Sequence, residues 1–412
     1  MLWRIFWRLP MKTQDFILLD EGYGAHNYHP LDVVIERGEG VWVHDVEGKK
    51  YLDCLSAYSA VNQGHCHPRI LKALTEQASK VTLTSRAFRN DQMGLFLKEL
   101  CEFTGYEMAL PMNTGAEAVE TAIKAARKWG YQVKGIASDQ AQIIVANGNF
   151  HGRTTTVVSF STEAQYKQDF GPFTPGFVAV EYGSIEALKA AINPSTAAIL
   201  LEPIQGEGGV IIPPEGYLKE VRELCDQHNI LFIADEIQSG LGRSGARFAC
   251  DHEGVRPDMV ILGKALSGGF YPVSAVVADQ KVLGLFKPGD HGSTFAGNPL
   301  GAAVAREALK VLQEEKLIER SRTLGAYLKA ELEKIDSPII DFVRGKGLWI
   351  GLVLKEPARK YCEALRERGI LCKETHVNVI RIAPPLVIEQ AELDLIVSEF
   401  KAVLTASEKV LV

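Results

Sequence analysis

The sequence around Lys264 suits a lysine that forms a covalent bond with a carbonyl compound. It follows the apolar run at residues 259–262 and Gly263, and it precedes Ala265 and Leu266. A lysine in bulk water is protonated and a poor nucleophile, but one packed against apolar strand residues can lose its proton and form a Schiff base with a carbonyl. For Lys264 alone, a solvent-facing lysine at the start of a helix is the simpler interpretation, so its neighbours must decide.

Asp235 supplies the second half of this chemistry. It follows the apolar run at residues 230–234, and a carboxylate buried there needs a cationic partner. The protonated pyridine nitrogen of pyridoxal phosphate is such a partner, and an aspartate with a lysine is the pair that this cofactor usually requires. A helix N-cap or an internal salt bridge is the alternative for Asp235 alone. Together, Lys264 and Asp235 favour pyridoxal phosphate as the cofactor.

A phosphate group also needs a binding site. Thr114 and Gly115 precede an amphipathic helical pattern, so a hydroxyl and free amides would lie at a helix N-terminus, where anions bind. The same turn also serves as an ordinary N-cap. Phe150, beyond the apolar run at residues 142–146, could lie against the face of a pyridine ring, although a core position is the simpler interpretation for Phe150 alone.

The elements that must position these residues form an α/β pattern. From about residue 109 to 278, short apolar runs alternate with helical patterns, which indicates βαβ units and a mainly parallel sheet. Runs that are apolar at every position suit strands covered on both faces. Because ligands in open α/β sheets bind at the carboxyl ends of strands, we expect the polar residues there to form one site. The strand-like runs are residues 142–146, 198–201, 230–234 and 259–262.

The flanking regions predict smaller elements. Residues 40–52 alternate apolar and polar around a Glu-Gly turn, which is typical of a hairpin. Residues 300–335 are helix-rich, and strands are expected at 348–353 and 379–382. We predict four parts: an extension outside the core (1–10), an N-terminal segment with the hairpin (11–52), a large cofactor-binding α/β domain (53–300) and a small α+β domain (301–412).

The composition excludes several classes of protein. The chain has 412 residues, with 45 Lys and Arg against 51 Asp and Glu and a net charge of −6. Such a balance gives no basic face for nucleic acid. No apolar stretch approaches the ~20 residues of a membrane helix. The seven cysteines are scattered and odd in number, which favours a reducing cytosol over a disulfide framework.

His65-Cys66-His67 is the densest group of metal-binding residue types. Two imidazoles and a thiolate can bind zinc, but no second cluster at ligand spacing completes a tetrahedral site. Structural histidines before a helix are therefore the favoured interpretation, and we expect no metal centre. A metal-dependent hydrolase built on His65 and His67 is the alternative from another enzyme class.

Several motifs occur together in the order and spacing of one known family. They are Asn113-Thr114-Gly115-Ala116-Glu117-Ala118, Asn149-Phe150-His151-Gly152-Arg153, Asp235-Glu236-Ile237-Gln238 and Gly263-Lys264, with supporting segments at 24–30, 56–65, 202–207, 291–294 and 381–385. From about residue 22 onward, the chain resembles the class-III pyridoxal-phosphate aminotransferases, and most closely their ornithine-using members. The resemblance implies a fold-type I enzyme that works as a homodimer with active sites at the interface.

The resemblance also implies residue roles at the cofactor. Lys264 would bind it covalently and act as the catalytic base, and Asp235 would contact the pyridine nitrogen. Gln238 would lie near the ring hydroxyl, and Phe150 would stack on the ring. The implied phosphate contacts are the amides of Gly115 and Ala116 beside Thr114, with Thr294 from the neighbouring subunit.

At the substrate, the resemblance implies two carboxylate sites. Arg381 would grip the α-carboxylate of glutamate or 2-oxoglutarate, with Glu207 as its ion-pair partner. Arg153 and Tyr28 would contact the α-carboxylate and α-amine of ornithine, and Tyr58 would shape that site. An arginine suits these roles because its planar fork matches a carboxylate. A structural ion pair is the alternative for both arginines. His151 stands where relatives often have a bulkier aromatic residue, which could alter access to the site.

The activity implied is transfer of the distal amino group of ornithine to 2-oxoglutarate. Glu207 would mask Arg381 while ornithine reacts, and flanking glycines would let that loop move; a permanent salt bridge is the alternative. Other class-III enzymes acting on N-acetylornithine or 4-aminobutyrate are the nearest rivals, and Tyr28 and Tyr58 weigh against both. An aminomutase on the same fold is a further alternative.

Overall fold

The computed structural model describes residues 11–405, so the extension predicted at residues 1–10 lies outside it. The N-terminal part forms a small sheet and three helices around a left-handed turn. Strands β1 to β3 pair in chain order, and a strand of the C-terminal part, β13 (Ile370–Leu371), pairs with β3; the predicted hairpin is the antiparallel pair β2–β3. The elements are α1 Thr13–Tyr23, β1 Ile35–Glu39, β2 Trp42–Asp45, β3 Lys50–Asp53, α2 Ser56–Ser59 (the left-handed turn), α3 Pro68–Ala78 and α4 Met93–Thr104.

A seven-stranded sheet forms the centre of the molecule, in the order β4-β10-β9-β8-β7-β5-β6. Only β10 runs antiparallel to its neighbours, which confirms the mainly parallel α/β fold. The elements are β4 Met108–Met112, α5 Gly115–Trp129, β5 Gln142–Ala146, α6 Thr155–Ser159, α7 Ala164–Lys167, β6 Phe177–Val180, α8 Ile185–Ala191, β7 Thr196–Leu201, α9 Tyr217–His228, β8 Leu231–Asp235, β9 Met259–Leu262, β10 Ser274–Ala278 and α10 Gln280–Leu283.

The four predicted strand runs coincide with β5, β7, β8 and β9. Every residue of β7, β8 and β9 is buried, as expected for strands with helices on both faces. Apolar side chains from α5 pack on one face of the sheet, and those from α9 pack on the other. The core therefore fixes the strand ends on which the site is built.

The C-terminal part contains helices and an antiparallel sheet in the order β11-β12-β15-β14. Its elements are α11 Pro299–Glu314, α12 Leu317–Glu333, β11 Ile340–Gly345, β12 Ile350–Leu354, α13 Arg359–Glu367, β13 Ile370–Leu371, β14 Lys373–Thr375, β15 Val379–Ile382 and α14 Gln390–Leu404. Here β13 pairs with β3 of the N-terminal sheet. The helix-rich stretch and both strands match the sequence expectations, while the domain division near residue 300 stays a prediction.

Within residues 11–405, no helix combines the length and the apolar character needed to cross a membrane.

Candidate active site

A cavity lies at the carboxyl ends of the central strands. Its walls combine residues at or just after the ends of four strands, β5, β7, β8 and β9, with the first turn of α5. They are Gly115, Ala116, Phe150, His151, Gly152, Glu202, Ile204, Asp235, Ile237, Gln238, Ser239 and Lys264. The structure thus brings together the cofactor residues predicted after β5, β8 and β9, together with the predicted helix N-terminus.

Lys264 begins a 3₁₀ turn directly after β9. Its backbone is in the left-handed region, with φ of 44°, a conformation that costs a non-glycine residue roughly 1–2 kcal/mol. Burial lowers the pKa of the Lys264 amine; Glu207 opposes that shift, and Arg381 adds to it. A lysine with a lowered pKa has a larger share of the neutral amine that attacks carbonyls. The solvent-facing interpretation of Lys264 is therefore wrong, because its side chain faces the cavity.

Asp235 ends β8 and is held on both carboxylate oxygens. Its Oδ1 accepts a hydrogen bond from the Ile237 amide at 3.1 Å, and its Oδ2 lies 2.7 Å from Nδ1 of His151. Both side chains are buried. Burial lowers the pKa of His151, but the hydrogen bond to Asp235 and the negative charge there outweigh this effect, so the pKa is raised. The Asp235 carboxylate therefore favours the protonated form of His151.

This contact changes the interpretation of His151. The sequence suggested an effect on access to the site, whereas the imidazole is only 3% exposed and supports Asp235. Its second nitrogen, Nε2, is buried without a hydrogen-bond partner among the described residues.

Glu202 follows β7 and adds a second buried carboxyl group. Its Oε2 accepts a hydrogen bond from the Phe150 amide at 2.9 Å, and its Oε1 accepts one from the Gly206 amide at 3.2 Å. Burial raises the pKa of Glu202 to about 7; the charge of His151 lowers it, and that of Asp235 raises it. The group therefore ties the segments after β5 and β7 together, and it titrates near neutrality.

The N-terminus of α5 brings two backbone amides to the cavity. The Thr114 hydroxyl accepts a hydrogen bond from the Glu117 amide at 3.3 Å, while the Glu117 carboxylate accepts one from the Thr114 amide at 2.8 Å. This capping box confirms the N-cap interpretation of Thr114. The amides of Gly115 and Ala116, at the first two helical positions, have no partner within the helix, and both residues line the cavity.

These features fit pyridoxal phosphate. The two amides at a helix N-terminus suit its phosphate, and the buried carboxylate of Asp235 suits its pyridine nitrogen. Phe150 and Ile237 supply apolar surface for a ring. Gly152 completes the fit by close approach, since a Cβ at this residue would lie 3.0 Å from Cβ of Ala116.

Arg381 and Glu207 form an ion pair beside the cavity. Nη1 of Arg381 lies 2.7 Å from Oε1 of Glu207, and the arginine side chain is only 2% exposed. Burial raises the pKa of Glu207, but the charge of Arg381 and its hydrogen bond bring it below the ordinary value. Nε of Arg381 is buried without a partner among the described residues. The guanidinium therefore keeps a donor that a second carboxylate could use.

Tyr58 lies in the left-handed turn α2. Its ring packs on Arg381, with the guanidinium carbon 4.7 Å from the ring centre, and its carbonyl accepts a hydrogen bond from Nε2 of Gln238 at 3.2 Å. Four consecutive residues of the turn have positive φ. The Ser56 hydroxyl stabilises this strained backbone by donating to the carbonyl of Ala383, just beyond β15, at 2.7 Å. The turn thus fixes Tyr58 against the arginine.

Arg153 lies outside the cavity lining and is exposed. Its guanidinium carbon stacks 3.6 Å from the ring centre of Tyr166 and 5.5 Å from that of Phe150. The rings of Phe150 and Tyr166 meet edge to face, with centroids 6.1 Å apart. Tyr166 therefore joins the predicted cofactor-stacking ring to the predicted carboxylate-binding arginine.

Tyr28 and Thr294, also predicted site residues, are exposed in the single chain and do not line the cavity. Tyr28 is 77% exposed, and its segment is held by Lys373, which donates to the carbonyl of His29 at 2.8 Å. Thr294 is also exposed. It follows Ser293, whose hydroxyl accepts a hydrogen bond from Asn113 at 2.8 Å.

The two histidines of the predicted metal alternative have separate partners. Nε2 of His65 lies 2.8 Å from Asp53, and Nε2 of His67 lies 3.1 Å from Glu315. Among residues 11–405, no group of three or more histidine, cysteine, aspartate or glutamate side chains is placed to hold a metal ion.

Three residues near the site were missed or left without a role by the sequence analysis. Glu202 had a usable signal, because it directly follows a fully buried strand. His151 and Tyr166 had none, since an imidazole and a phenol at these positions show no spacing that predicts their contacts.

The chain is similar to aminotransferases over nearly its whole length. Residues 23–404 match the family model described as "Aminotransferase class-III". An "Ornithine aminotransferase" of an Exiguobacterium strain is 62% identical over 393 residues, covering 95% of this chain and 98% of the relative. A solved ornithine aminotransferase from Toxoplasma gondii, whose description mentions partial occupancy of pyridoxal phosphate at the active site, has 45% identity and a TM-score of 0.96, covering 98% of this chain and 96% of its own. A solved acetylornithine aminotransferase from Elizabethkingia anophelis has 50% identity and a TM-score of 0.88, covering 96% of this chain and 99% of its own.

Proposed function

The chain belongs to the class-III aminotransferase family, and we propose that it transfers the distal amino group of ornithine to 2-oxoglutarate. The family makes it a pyridoxal-phosphate-dependent transaminase, and the cavity around Lys264 and Asp235 fits that cofactor. The products are glutamate and glutamate 5-semialdehyde, and the semialdehyde loses water as it closes to pyrroline-5-carboxylate.

The ion pair between Glu207 and Arg381 carries the proposal. A donor that reacts through its distal amine has no carboxylate next to the reacting carbon. If Arg381 were unpaired beside that carbon, it would favour α-amino acids as donors instead. The acceptor does have such a carboxylate and needs the arginine. An arginine covered by a displaceable glutamate serves both halves of the reaction. Arg153, exposed on Tyr166, is then available for the remote carboxylate.

Each residue of the site has a task in this reaction. When bound, pyridoxal phosphate withdraws electrons from the substrate carbon that carries the amine, which makes the proton on that carbon removable. Lys264, with its lowered pKa, takes that proton on Nζ. Asp235, fixed by His151, holds the positive charge of the pyridine nitrogen. The amides of Gly115 and Ala116 hold the phosphate and so fix the distance to Lys264.

Transfer from N-acetylornithine is the second candidate, because the structurally similar acetylornithine aminotransferase is 50% identical to this chain. The two donors differ only at the α-nitrogen, which is a cation in ornithine and a neutral amide in the acetylated compound. The phenols of Tyr28 and Tyr58 support ornithine, since a hydroxyl can accept a hydrogen bond from an ammonium group.

A donor panel tests the proposal. Holoenzyme is mixed with 2-oxoglutarate and ornithine, N-acetylornithine or 4-aminobutyrate, and glutamate and trapped pyrroline are measured. The largest kcat/KM is expected for ornithine; a larger value for N-acetylornithine would select the second candidate. Conversion of ornithine without any oxo acid would instead indicate an aminomutase.

The active form is proposed to be a homodimer with shared sites. Exposed apolar side chains support it: Phe88 is 74% exposed and Phe295, next to Thr294, is 48% exposed. Thr294 of one subunit would then reach the phosphate in the other. Binding and dimerisation should be linked, so the affinity for pyridoxal phosphate should fall on dilution, as followed by sedimentation with absorbance detection. A monomer with full cofactor affinity would contradict the shared site.

The seven unbridged cysteines fit the proposed cytosolic compartment.

A further inference from the structure

The main chain of Glu207 is tied to the C-terminal sheet by Thr375. The Thr375 hydroxyl donates a hydrogen bond to the Glu207 carbonyl at 2.6 Å. Thr375 ends β14, whereas Glu207 lies in the loop after β7, 168 residues earlier in the chain. One short hydrogen bond therefore joins the Glu207 loop, which follows a strand of the central sheet, to the C-terminal sheet.

A second contact holds the same loop two residues further on. Nε of Arg344, in β11, donates to the carbonyl of Gly209 at 2.9 Å. Gly209 has a φ of 103°, and a Cβ at this residue would lie 2.9 Å from Nη2 of Arg344. Gly206 is packed as closely, because a Cβ at this residue would overlap Oε1 of Gln238. These two glycines therefore permit close packing of the loop against its neighbours.

Thr375 and Arg381 belong to the same hairpin. Strands β14 and β15 are antiparallel, with Lys373 opposite Arg381 and Thr375 opposite Val379. The hairpin thus holds Glu207 at two points: Thr375 binds its carbonyl, and Arg381 binds its carboxylate. Because both contacts come from one hairpin, the Glu207 backbone and carboxylate are held by the same structural unit.

We propose that Thr375 is a positioning residue that sets which amine the enzyme accepts. By holding the Glu207 backbone, its hydroxyl keeps the carboxylate in register with Arg381, and the mask opens by rotation of the Glu207 side chain alone. The proposal rests on the proposed function, because it concerns the residue that covers Arg381 during the ornithine half-reaction. Without the hydroxyl, the Glu207 backbone is no longer held in place. The Glu207 carboxylate then competes less well with a substrate carboxylate for Arg381.

Two variants of Thr375 separate the hydroxyl from the shape of the side chain. Thr375→Val keeps the volume and removes the donor, and Thr375→Ser keeps the donor and removes a methyl group. The first measurement is the Kd of the holoenzyme for glutarate, a five-carbon dicarboxylate with no amino or keto group. Thr375→Val should bind glutarate about threefold to tenfold more tightly, as expected for the loss of one hydrogen bond. Thr375→Ser should match the wild type.

The second measurement is the ratio of kcat/KM for glutamate to that for ornithine in the separate half-reactions. It should rise by about the same threefold to tenfold in Thr375→Val and stay unchanged in Thr375→Ser, with thermal unfolding recorded for both. Wild-type glutarate affinity in Thr375→Val, or equal shifts in both variants, would overturn the proposal. The glutarate measurement requires no turnover, so it tests the role of Thr375 even if ornithine is not the donor. Whether ornithine is the donor is tested separately by the donor panel.

Discussion

His151 and Asp235 form a buried pair in which Nδ1 of the imidazole lies 2.7 Å from Oδ2 of the carboxylate. Asp235 is also bonded to the Ile237 amide on its other oxygen, so the carboxylate cannot rotate away from the cavity. His151 therefore holds the Asp235 carboxylate in place, where it can pair with a protonated pyridine nitrogen.

Replacing His151 should therefore weaken cofactor binding and turnover together. His151→Phe removes the partner and leaves the carboxylate buried, which should lower kcat by roughly tenfold to hundredfold and weaken the affinity for pyridoxal phosphate. Asp235→Asn should cost more, because a neutral amide no longer holds the pyridine proton. Stopped-flow half-reactions and equilibrium dialysis measure the two effects. If His151→Phe kept native values in both assays, the pair would be irrelevant to the cofactor.

Lys264→Ala should abolish turnover without abolishing cofactor binding. The amides at the start of α5 would still hold the phosphate, while no amine remains to bond covalently or to move the proton. Borohydride reduction followed by peptide mass mapping should find the pyridoxyl label on Lys264 in the wild type and nowhere in the variant. Lys72→Ala, on an exposed side chain of α3, is the matched control and should be labelled and active as the wild type is. Near-native transamination by Lys264→Ala would remove the residue from the mechanism.

Glu202 should give the cofactor-free protein a pH-dependent stability. Its pKa is raised from 4.5 to about 7 in the folded state, so between these values the folded protein holds a proton that the unfolded chain has lost. Stability contributed by this group is present below pH 4.5 and falls as pH rises towards 7. The free energy of unfolding should fall across the window by up to about 3 kcal/mol more in the wild type than in Glu202→Gln.

Urea unfolding at several pH values gives the slope of the free energy of unfolding against pH. Comparing slopes separates the effect of Glu202 ionisation from any pH-independent loss of stability caused by the glutamine. Glu319→Gln, on an exposed side chain of α12, should follow the wild-type slope. Parallel curves for the wild type and Glu202→Gln would show that Glu202 ionises normally.

Tyr166 should act as the platform for Arg153. The guanidinium carbon of Arg153 lies 3.6 Å from the ring centre of Tyr166, and a guanidinium held by such a contact binds a carboxylate with less loss of freedom. Tyr166→Leu should raise the KM for ornithine about threefold to tenfold with a smaller effect on kcat, while Tyr166→Phe, which keeps the ring, should stay close to the wild type. Equal KM values in Tyr166→Leu and the wild type would show that Arg153 needs no platform.

The sequence predicted the strand ends because burial leaves a local pattern. Residues 142–146, 230–234 and 259–262 are apolar at nearly every position, and the fold rule for open α/β sheets brings the residues after them together. Lys264 and Asp235 could therefore be placed in one site without knowledge of the fold's loops. The capping box at Thr114 was also predictable, since it is encoded within four residues.

The contacts that support those residues could not be predicted. His151 and Asp235 are 84 residues apart, and Thr375 and Glu207 are 168 apart, so no local pattern relates either pair. The glycines around Glu207 indicated a mobile loop, because a sequence shows the freedom of a glycine but not the neighbour that fills the space beside it. Gly206 and Gly209 lie close to Gln238 and Arg344, contacts that no local pattern predicts, and the mobility of the loop stays a prediction.

The charge on Glu207 should decide whether the distal or the α-amine reacts. Glu207→Ala uncovers Arg381, which could then hold an α-carboxylate beside the reacting carbon. Half-reactions with glutamate, or at the α-amine of ornithine, should gain roughly tenfold relative to the distal amine, because a charged hydrogen bond no longer competes. Glu207→Gln keeps the shape of the side chain and one acceptor but not the charge. Its preference for the distal amine should therefore lie between those of the wild type and Glu207→Ala. Product analysis by mass spectrometry identifies the amine that reacted. A wild-type preference for the distal amine in Glu207→Ala would mean that the ion pair with Arg381 is a permanent structural bridge and that selectivity arises elsewhere.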